Sequence, residues 1–482
     1  MKDSSMDKLK NLEELVSLKM KEWKVPGTCV AVIKDGSVIL NRAFGHRNMK
    51  ENLETSSDTL FAIASMSKAF TAAALGILVD EGKLEWDTPI RNYIPEFELY
   101  NDYASINVTP RDLACHRTGL PRHEFMWHGA KFSRREIVDK VRHLEPNLDF
   151  RYGYQYQNQM YVVLGYLVER LTGVSWEEFV RNRILKPLGM ENTNFSIIDS
   201  FKSPDFAMPY GEKDGEIVEL NFKNVDGVGP AGCINSSLND MIKWFLLNMN
   251  KGKLEGKQII SDKSIAETYS PQSIINDSTI RFKEIPYLSY GMGWEVQIYR
   301  GHNIVQHDGS ITGFSAMGAF LPDDDLGVII LTNKYGAGIF NNILLYNIID
   351  NMLEMDVIDW NGRYRELIDK FKALQNNQKS QLENEKKENT HPSHPLSEYA
   401  GEYIHPGYGK LYIKIEGNAL KLHFNEFKKF LKHYHYDVFS FSMEEFGIPP
   451  ILINFNINSK GNISSVSIPM EPAVKDIVFI KN

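Results

Sequence analysis

The order of apolar and polar residues divides this chain into helix-period and strand-period segments. Leu12, Leu15, Val16 and Met20 recur at helical spacing, which predicts an amphipathic helix over residues 6–23 that stops at Pro26-Gly27. Residues 28–33 and 37–43 read as two strands joined by an Asp35-Gly36 turn. An apolar run opening at Phe61 reads as a buried helix that ends near Gly82, with the glycine as its cap. Thr109-Pro110 opens a further helix, the threonine as N-cap and the proline in the first turn. Helical spacing returns over residues 133–143, 161–171 and 176–184, and again behind a capping box from Asn235 to Asp240. Residues 290–299, 304–307, 314–321 and 327–331 then alternate as strands, and a last helix covers 340–352.

An antiparallel sheet with helices drawn from both ends of the sequence is an α+β pattern. Residues 376–395 are rich in Asn, Gln, Lys and Glu and read as a solvated linker. Beyond them, short alternating segments with Gly and Asn turns predict a small all-β barrel of about eight strands. Within it Phe427, Phe430 and Tyr434 interleave with Lys428, Lys429 and Lys432, an amphipathic stretch suited to covering the barrel mouth or meeting another subunit. The expected division is a first domain over 1–375, a linker over 376–395 and a barrel over 396–482.

Composition mainly excludes. A chain of 482 residues exceeds one ordinary core, and a net charge of -8 offers no basic face to nucleic acid. Cys29, Cys115 and Cys233 are too sparse for a disulfide framework or zinc site and read as buried thiols. No apolar run is long enough to span a membrane, and the polar first residues carry no signal-peptide core. The expectation is a cytoplasmic protein with no membrane or nucleic-acid partner. Gly227-to-Gly232 matches a dinucleotide fingerprint by letter, but Pro230 and the missing strand before it argue against one. No cofactor and no metal are expected.

The chemistry lies in three short stretches. Ser65 and Lys68 are three apart at the head of the buried helix, so a base stands beside a hydroxyl near a helix N-terminus. Ser-x-x-Lys is also what an N-terminal serine and a snorkelling lysine produce. Tyr156 and Asn158 fall on a loop before a helix; a phenol beside a cation can serve as a base, and an amide can hold both a lysine and a substrate carbonyl. An aromatic-rich loop would look the same. His307 and Gly309 come at the end of a predicted strand, where glycine permits close approach of a ligand or backbone. His307 is placed to orient a substrate carboxylate, assist proton transfer or bond Tyr156.

In this order, Ser65-x-x-Lys68, Tyr156-x-Asn158 and His307-x-Gly309 resemble the three-motif signature of the serine β-lactamase and penicillin-binding protein superfamily, in its class C-like peptidase and esterase branch. Residues 113–121 (Leu-Ala-Cys-His-Arg-Thr-Gly-Leu-Pro) resemble a further segment of that family. So do residues 229–237, with Cys233 where the family has a second glycine. The linker and barrel resemble the lipocalin-like appendage of D-aminopeptidase-type and archaeal self-compartmentalising peptidases. The resemblance implies a sheet flanked by helices plus an all-helical subdomain, and an acyl-enzyme on Ser65. Lys68 and Tyr156 would share the base role. Asn158, His307 and Gly309 would bind substrate, and the amides of Ser65 and Ser310 would form the oxyanion hole.

One departure bears on substrate. Where the β-lactamases of this class carry Lys-Thr-Gly, this chain has His307-Asp308-Gly309, and a histidine is a weaker carboxylate anchor than a permanent cation. The expected function is a peptidase of the D-aminopeptidase or DD-peptidase type acting on small peptides, amides or esters. The alternatives are a carboxylesterase or weak β-lactamase of the same fold, and a non-catalytic penicillin-binding or peptide-sensing protein. Expected partners are the substrate, a covalent β-lactam, and further copies of the chain through its C-terminal domain.

Overall fold

The computed structural model describes residues 2–276, 282–443 and 449–482. The chain folds into two compact units. The first holds Met1–Phe97, Tyr103–Gly119 and Asp149–Trp360; the second holds Glu98–Asp102, Leu120–Leu148 and Asn361–Asn482.

The first unit is built on a nine-stranded antiparallel sheet. Its order runs from Ser273–Ile274 through Tyr287–Tyr290, Glu295–Tyr299, His302–Ile311, Phe314–Leu321 and Leu326–Thr332 to Gly27–Lys34, Ser37–Asn48 and Leu53–Glu54. The Gly27–Lys34 strand pairs with Leu326–Thr332, so segments about 300 residues apart meet at mid-sheet. Asp35 and Gly36 both take left-handed φ, +50° and +70°, as a tight hairpin matched to strand twist requires. The Leu326–Thr332 and Phe314–Leu321 strands are buried at every position, which marks a sheet covered on both faces. Its covers include helices Leu238–Met249 and Gly338–Met352. The helix Ser67–Asp80 is buried from Ser67 to Leu78, the pattern of a central helix with no solvent face.

Helix starts follow the expected caps. Thr109 and Asp112 form a reciprocal capping box with Pro110 in the first turn, and Ser237 caps Leu238–Met249 through the Asp240 amide. Two strand limits differ from expectation. Residues 290–299 split into Tyr287–Tyr290 and Glu295–Tyr299 around Gly291 and Gly293, and the strand through His307 runs on to Ile311. His307 and Gly309 therefore sit inside a strand, not at its end.

The second unit is a nearly closed nine-stranded barrel together with residues 120–148. Alternation works as expected: Leu420, Leu422 and Phe424 turn inward, with Tyr403, Leu411, Phe455 and Phe479. The 427–434 stretch is not a cover. It forms two short strands, Phe427–Phe430 and Lys432–His435, the two ends of the sheet order. Helix Trp360–Glu385 extends well into the residues expected as linker. Residues 120–148 join the barrel through His123, which is fully buried at φ +44°. Its Nε2–H donates to the Glu145 carbonyl (2.9 Å), so Nδ1 accepts from the Tyr408 hydroxyl at 2.7 Å. The backbone N–H of His123 donates to Glu471. Removing that hydroxyl by Tyr408→Phe should cost about 1–3 kcal/mol. An unchanged denaturant midpoint for the variant would show that the bond contributes nothing.

Candidate active site

The site begins with a strained turn. Phe61–Ala62 pairs with Asn235–Ser236, a 3-10 turn covers Ala64–Met66, and the central helix starts at Ser67. Ala64 holds φ +46°, a region an L side chain adopts only at a cost. The turn leaves Ser65 half-buried between strand and helix. Next to it the Ser67 hydroxyl accepts from the Ile234 amide, and Thr71 donates to the Pro230 carbonyl. The segment around residues 230–234 is thereby clamped along the helix.

Lys68 is fully buried. Its Nζ donates to Asn158 Oδ1 (2.7 Å) and to the Ala231 carbonyl (2.9 Å), and lies 3.2 Å from Ser65 Oγ. Both of the first two can only accept. The third direction faces a hydroxyl, which takes a proton from an ammonium or gives one to a free amine. The same nitrogen stands 4.6 Å from the centroid of the Tyr156 ring and 5.4 Å from that of Tyr161. Ser65, Lys68, Tyr156 and Asn158 thus come together as the sequence suggests.

Gly309 brings the sheet to this cluster. A Cβ there would lie 2.1 Å from the Ile63 carbonyl oxygen, so only glycine lets the strand pass so close to the turn carrying Ser65. The neighbouring strand pairs only as far as Glu295 with Gln306, so residues 307–311 extend beyond it, and Ser310 follows Gly309 along this stretch.

One of the three expectations for His307, a bond to Tyr156, is not met. His307 is buried and does not bond Tyr156, whose ring centroid is 6.3 Å from its own. Its Nδ1–H donates to the Asp308 carbonyl (2.6 Å), and its Nε2 accepts from the Tyr290 hydroxyl (2.8 Å). Burial, then the charge of Lys68, pushes its pKa down to about 3. Burial pushes Tyr290 the other way, so it remains a donor. His307 is a neutral ring held between protein partners. Tyr290 had no sequence signal, being one aromatic among many.

Two further groups position Tyr156. His116, buried at φ +58°, packs 4.5 Å from the Tyr156 ring and 4.8 Å from Tyr290, and its Nδ1 accepts from the Gln157 amide. Asp112, also buried, ties this segment down. It accepts from Arg117, from Arg151 at 2.7 Å and from the Thr109 amide at 3.0 Å. The Arg151 amide in turn donates to the Arg117 carbonyl, and that of Gln155 to His116. The Cys115 thiol, pushed up to about 11 by burial, stays protonated and inert. Among the described residues no group of His, Cys, Asp or Glu is arranged to hold a metal ion, and no helix is long and apolar enough to cross a membrane.

A family model described as Beta-lactamase matches residues 12–346. The chain belongs to the Beta-lactamase family. A model for a domain of unknown function, DUF3471, matches residues 385–481, which include all nine barrel strands. Among curated proteins, the Beta-lactamase family chain is 32% identical to an unguisins hydrolase of Aspergillus campestris, over 83% of this chain and 76% of that one. It is 26% identical to a penicillin-binding protein of Bacillus subtilis, over 68% and 72% respectively. Among solved structures it resembles an octameric penicillin-binding protein homologue from Pyrococcus abyssi, with TM-score 0.64 and 23% identity over 97% and 99% of the two chains. It also resembles SurE with D-Leu, with TM-score 0.57 and 16% identity over 99% and 100%. These two likenesses establish the fold.

Two carboxyls give opposite pH signatures. Burial would raise the Asp112 carboxyl, but Arg151 and Arg117 overcome it and hold it below the ordinary range. Its stabilisation is therefore complete above the unfolded value of about 4 and lost as pH falls through the folded one. Asp112→Asn should cost about 3–5 kcal/mol at pH 7, the cost of breaking a buried pair, with the difference shrinking only as pH falls below about 4 towards the lowered folded value; equal melting temperatures at pH 7 would refute this. Glu295, beside Gln306, is pushed up to about 7 by burial and then by Asp308. A raised carboxyl stabilises below its unfolded value, and that stability is lost as pH climbs towards 7. Glu295→Gln should accordingly melt higher than wild type at pH 8, by a margin that shrinks towards pH 5. A margin independent of pH would contradict the assignment.

Proposed function

We propose that this chain is a serine hydrolase of small peptides and amides, of the D-aminopeptidase or DD-peptidase type, working through an acyl-enzyme on Ser65. Ser65 Oγ attacks the carbonyl while its proton passes to one member of the Lys68–Tyr156 pair, the amine of Lys68 when that is neutral or the phenolate of Tyr156 when Lys68 is an ammonium, so that the two share the base role. Asn158 fixes the lysine. The backbone amides of Ser65 and Ser310 receive the oxyanion. Collapse expels the amine, which takes its proton back from the same cluster, and water then releases the acyl group from Ser65.

The observation that carries the reading is the contact of Lys68 with Ser65, Asn158 and Ala231 in a buried site beside the Tyr156 ring. The neutral, internally bonded His307 supports the choice of substrate. With no permanent cation at that position, recognition does not turn on a free carboxylate, and β-lactams are not the preferred substrate. A 32%-identical relative named as a hydrolase supports turnover over mere binding.

The test is a panel of D- and L-aminoacyl amides, short-chain esters and nitrocefin on wild type and Ser65→Ala. The best peptide or amide should exceed nitrocefin at least tenfold in kcat/KM, and Ser65→Ala should lose roughly 10⁴-fold or more. Comparable values for nitrocefin and the best peptide would overturn the substrate assignment. A stoichiometric burst without turnover, leaving a stable Ser65 adduct by intact mass, would instead make the protein a sensor. Esters favoured over every amide would make it a carboxylesterase.

A further inference from the structure

The helix Gly338–Met352 lies across the sheet from the reacting groups. The Tyr299 hydroxyl donates to Asp350 on this helix (2.6 Å), and Gln297, two residues earlier on the same strand, bonds Tyr346 of the helix. Tyr299 pairs with His302, so residues 302, 304 and 306 face the helix as well. His307 and Gly309 alternate with these, and face the turn that carries Ser65. On the helix side, a cavity of about 460 Å³ is lined by Leu12 and Leu15 of helix Lys2–Glu22, by Asn347, Asp350 and Asn351, and by Met355. That is room for a small organic molecule.

Asn347, Asp350 and Asn351 are three and four residues apart and share one face of their helix. Asp350 is 4% exposed. Its Oδ1 accepts from Tyr299 and from Arg300 (3.0 Å), and burial, then the bond to Asp350, keeps Tyr299 protonated as a donor. The other oxygen, Oδ2, is buried and accepts no hydrogen bond among the described residues, and the same holds for Asn351 Oδ1. Both atoms can only accept, and a carboxylate oxygen shut off from water and left unbonded is costly. No lysine, arginine or histidine lines the cavity, and Arg300 takes only Oδ1. The remaining wall is apolar: Leu12, Leu15, Met355 and Val357, the last 87% exposed and so short of a covering partner. An occupant that suits this lining brings N–H donors, a positive charge and a hydrocarbon body.

We propose that this cavity binds a small aliphatic primary amine, its ammonium between Asp350 Oδ2 and Asn351 Oδ1 and its chain against Leu12, Leu15 and Met355. The sheet separates the cavity from Ser65, so the amine is a ligand of the scaffold and not a substrate. The assignment stands whether or not the hydrolase reading does.

The experiment is a calorimetric titration of wild type, Asn351→Leu and Leu15→Trp with hexylamine, hexan-1-ol and hexyltrimethylammonium at pH 7, where an alkylamine is charged as a lysine side chain is. Asn351→Leu removes one acceptor and leaves the bonds of Asp350 to Tyr299 and Arg300 in place. Leu15→Trp fills the cavity from the opposite helix. Hexylamine should bind wild type at one site, roughly tenfold or more tighter than the alcohol or the quaternary cation. Each variant should weaken hexylamine by about fivefold or more. Equal binding of the three probes would make the cavity merely apolar and overturn the proposal. Tighter binding of the quaternary cation, which has charge but no N–H, or no saturable binding of hexylamine would overturn it as well. Hexylamine binding that is unchanged in either folded variant would place the amine elsewhere and refute the site. Where one variant does not fold, the other decides, together with the order of the three probes on wild type.

Discussion

Lys68 Nζ is a charge-bearing group with no access to water, and several kcal/mol of desolvation must be offset by whatever surrounds it. The partners come from three parts of the chain: Ser65 one turn back, Asn158 at the start of a distant helix, and Ala231 in a segment clamped along the central helix. Two ring faces, those of Tyr156 and Tyr161, complete the enclosure. Moving any of these segments leaves an uncompensated buried ammonium, so one side chain constrains them all. The bonds of Thr71 to Pro230 and of Ser67 to Ile234 make sense as reinforcement of that enclosure.

The same requirement explains where side chains are missing. At Gly309 the sheet passes the Ser65 turn at a distance no Cβ allows. At Gly293, with φ +82°, a Cβ would come within 2.8 Å of the Lys68 carbonyl, and at Gly165 within 2.1 Å of the Pro230 ring. Close backbone packing excludes water from around Lys68, which strengthens each of its polar contacts. The left-handed Ala64 is the strain that accompanies this arrangement.

Much of this was legible in the sequence because it rests on local rules. The Thr109 and Ser237 caps, the Asp35-Gly36 hairpin and the alternating barrel strands are set by residues within a few positions of one another. The cluster of Ser65, Lys68, Tyr156 and Asn158 was legible through motif spacing. What escaped depends on long-range contact. Tyr290 matters because a strand break at Gly291 and Gly293 sets it beside His307. Residues 120–148 leave no periodic mark of joining the barrel, since His123, Tyr408 and Glu471 are far apart in sequence. The 427–434 stretch did not show itself as strand because strands of four residues with interleaved lysines look the same as an amphipathic surface segment.

Charge in the site follows from the identity of residue 307. Part of what keeps His307 neutral is the field of Lys68, and that field would act equally on a lysine placed there. Two ammonium groups in one enclosed volume would each need acceptors, and the backbone carbonyl and amide oxygen nearest to hand are already committed to Lys68. A neutral imidazole avoids that conflict, since its one N–H finds the Asp308 carbonyl and its one acceptor finds Tyr290. The consequence is that Lys68 shares this enclosed volume with a neutral ring and not with a second ammonium. The close, glycine-dependent approach of the 302–311 strand to the Ser65 turn keeps that volume enclosed.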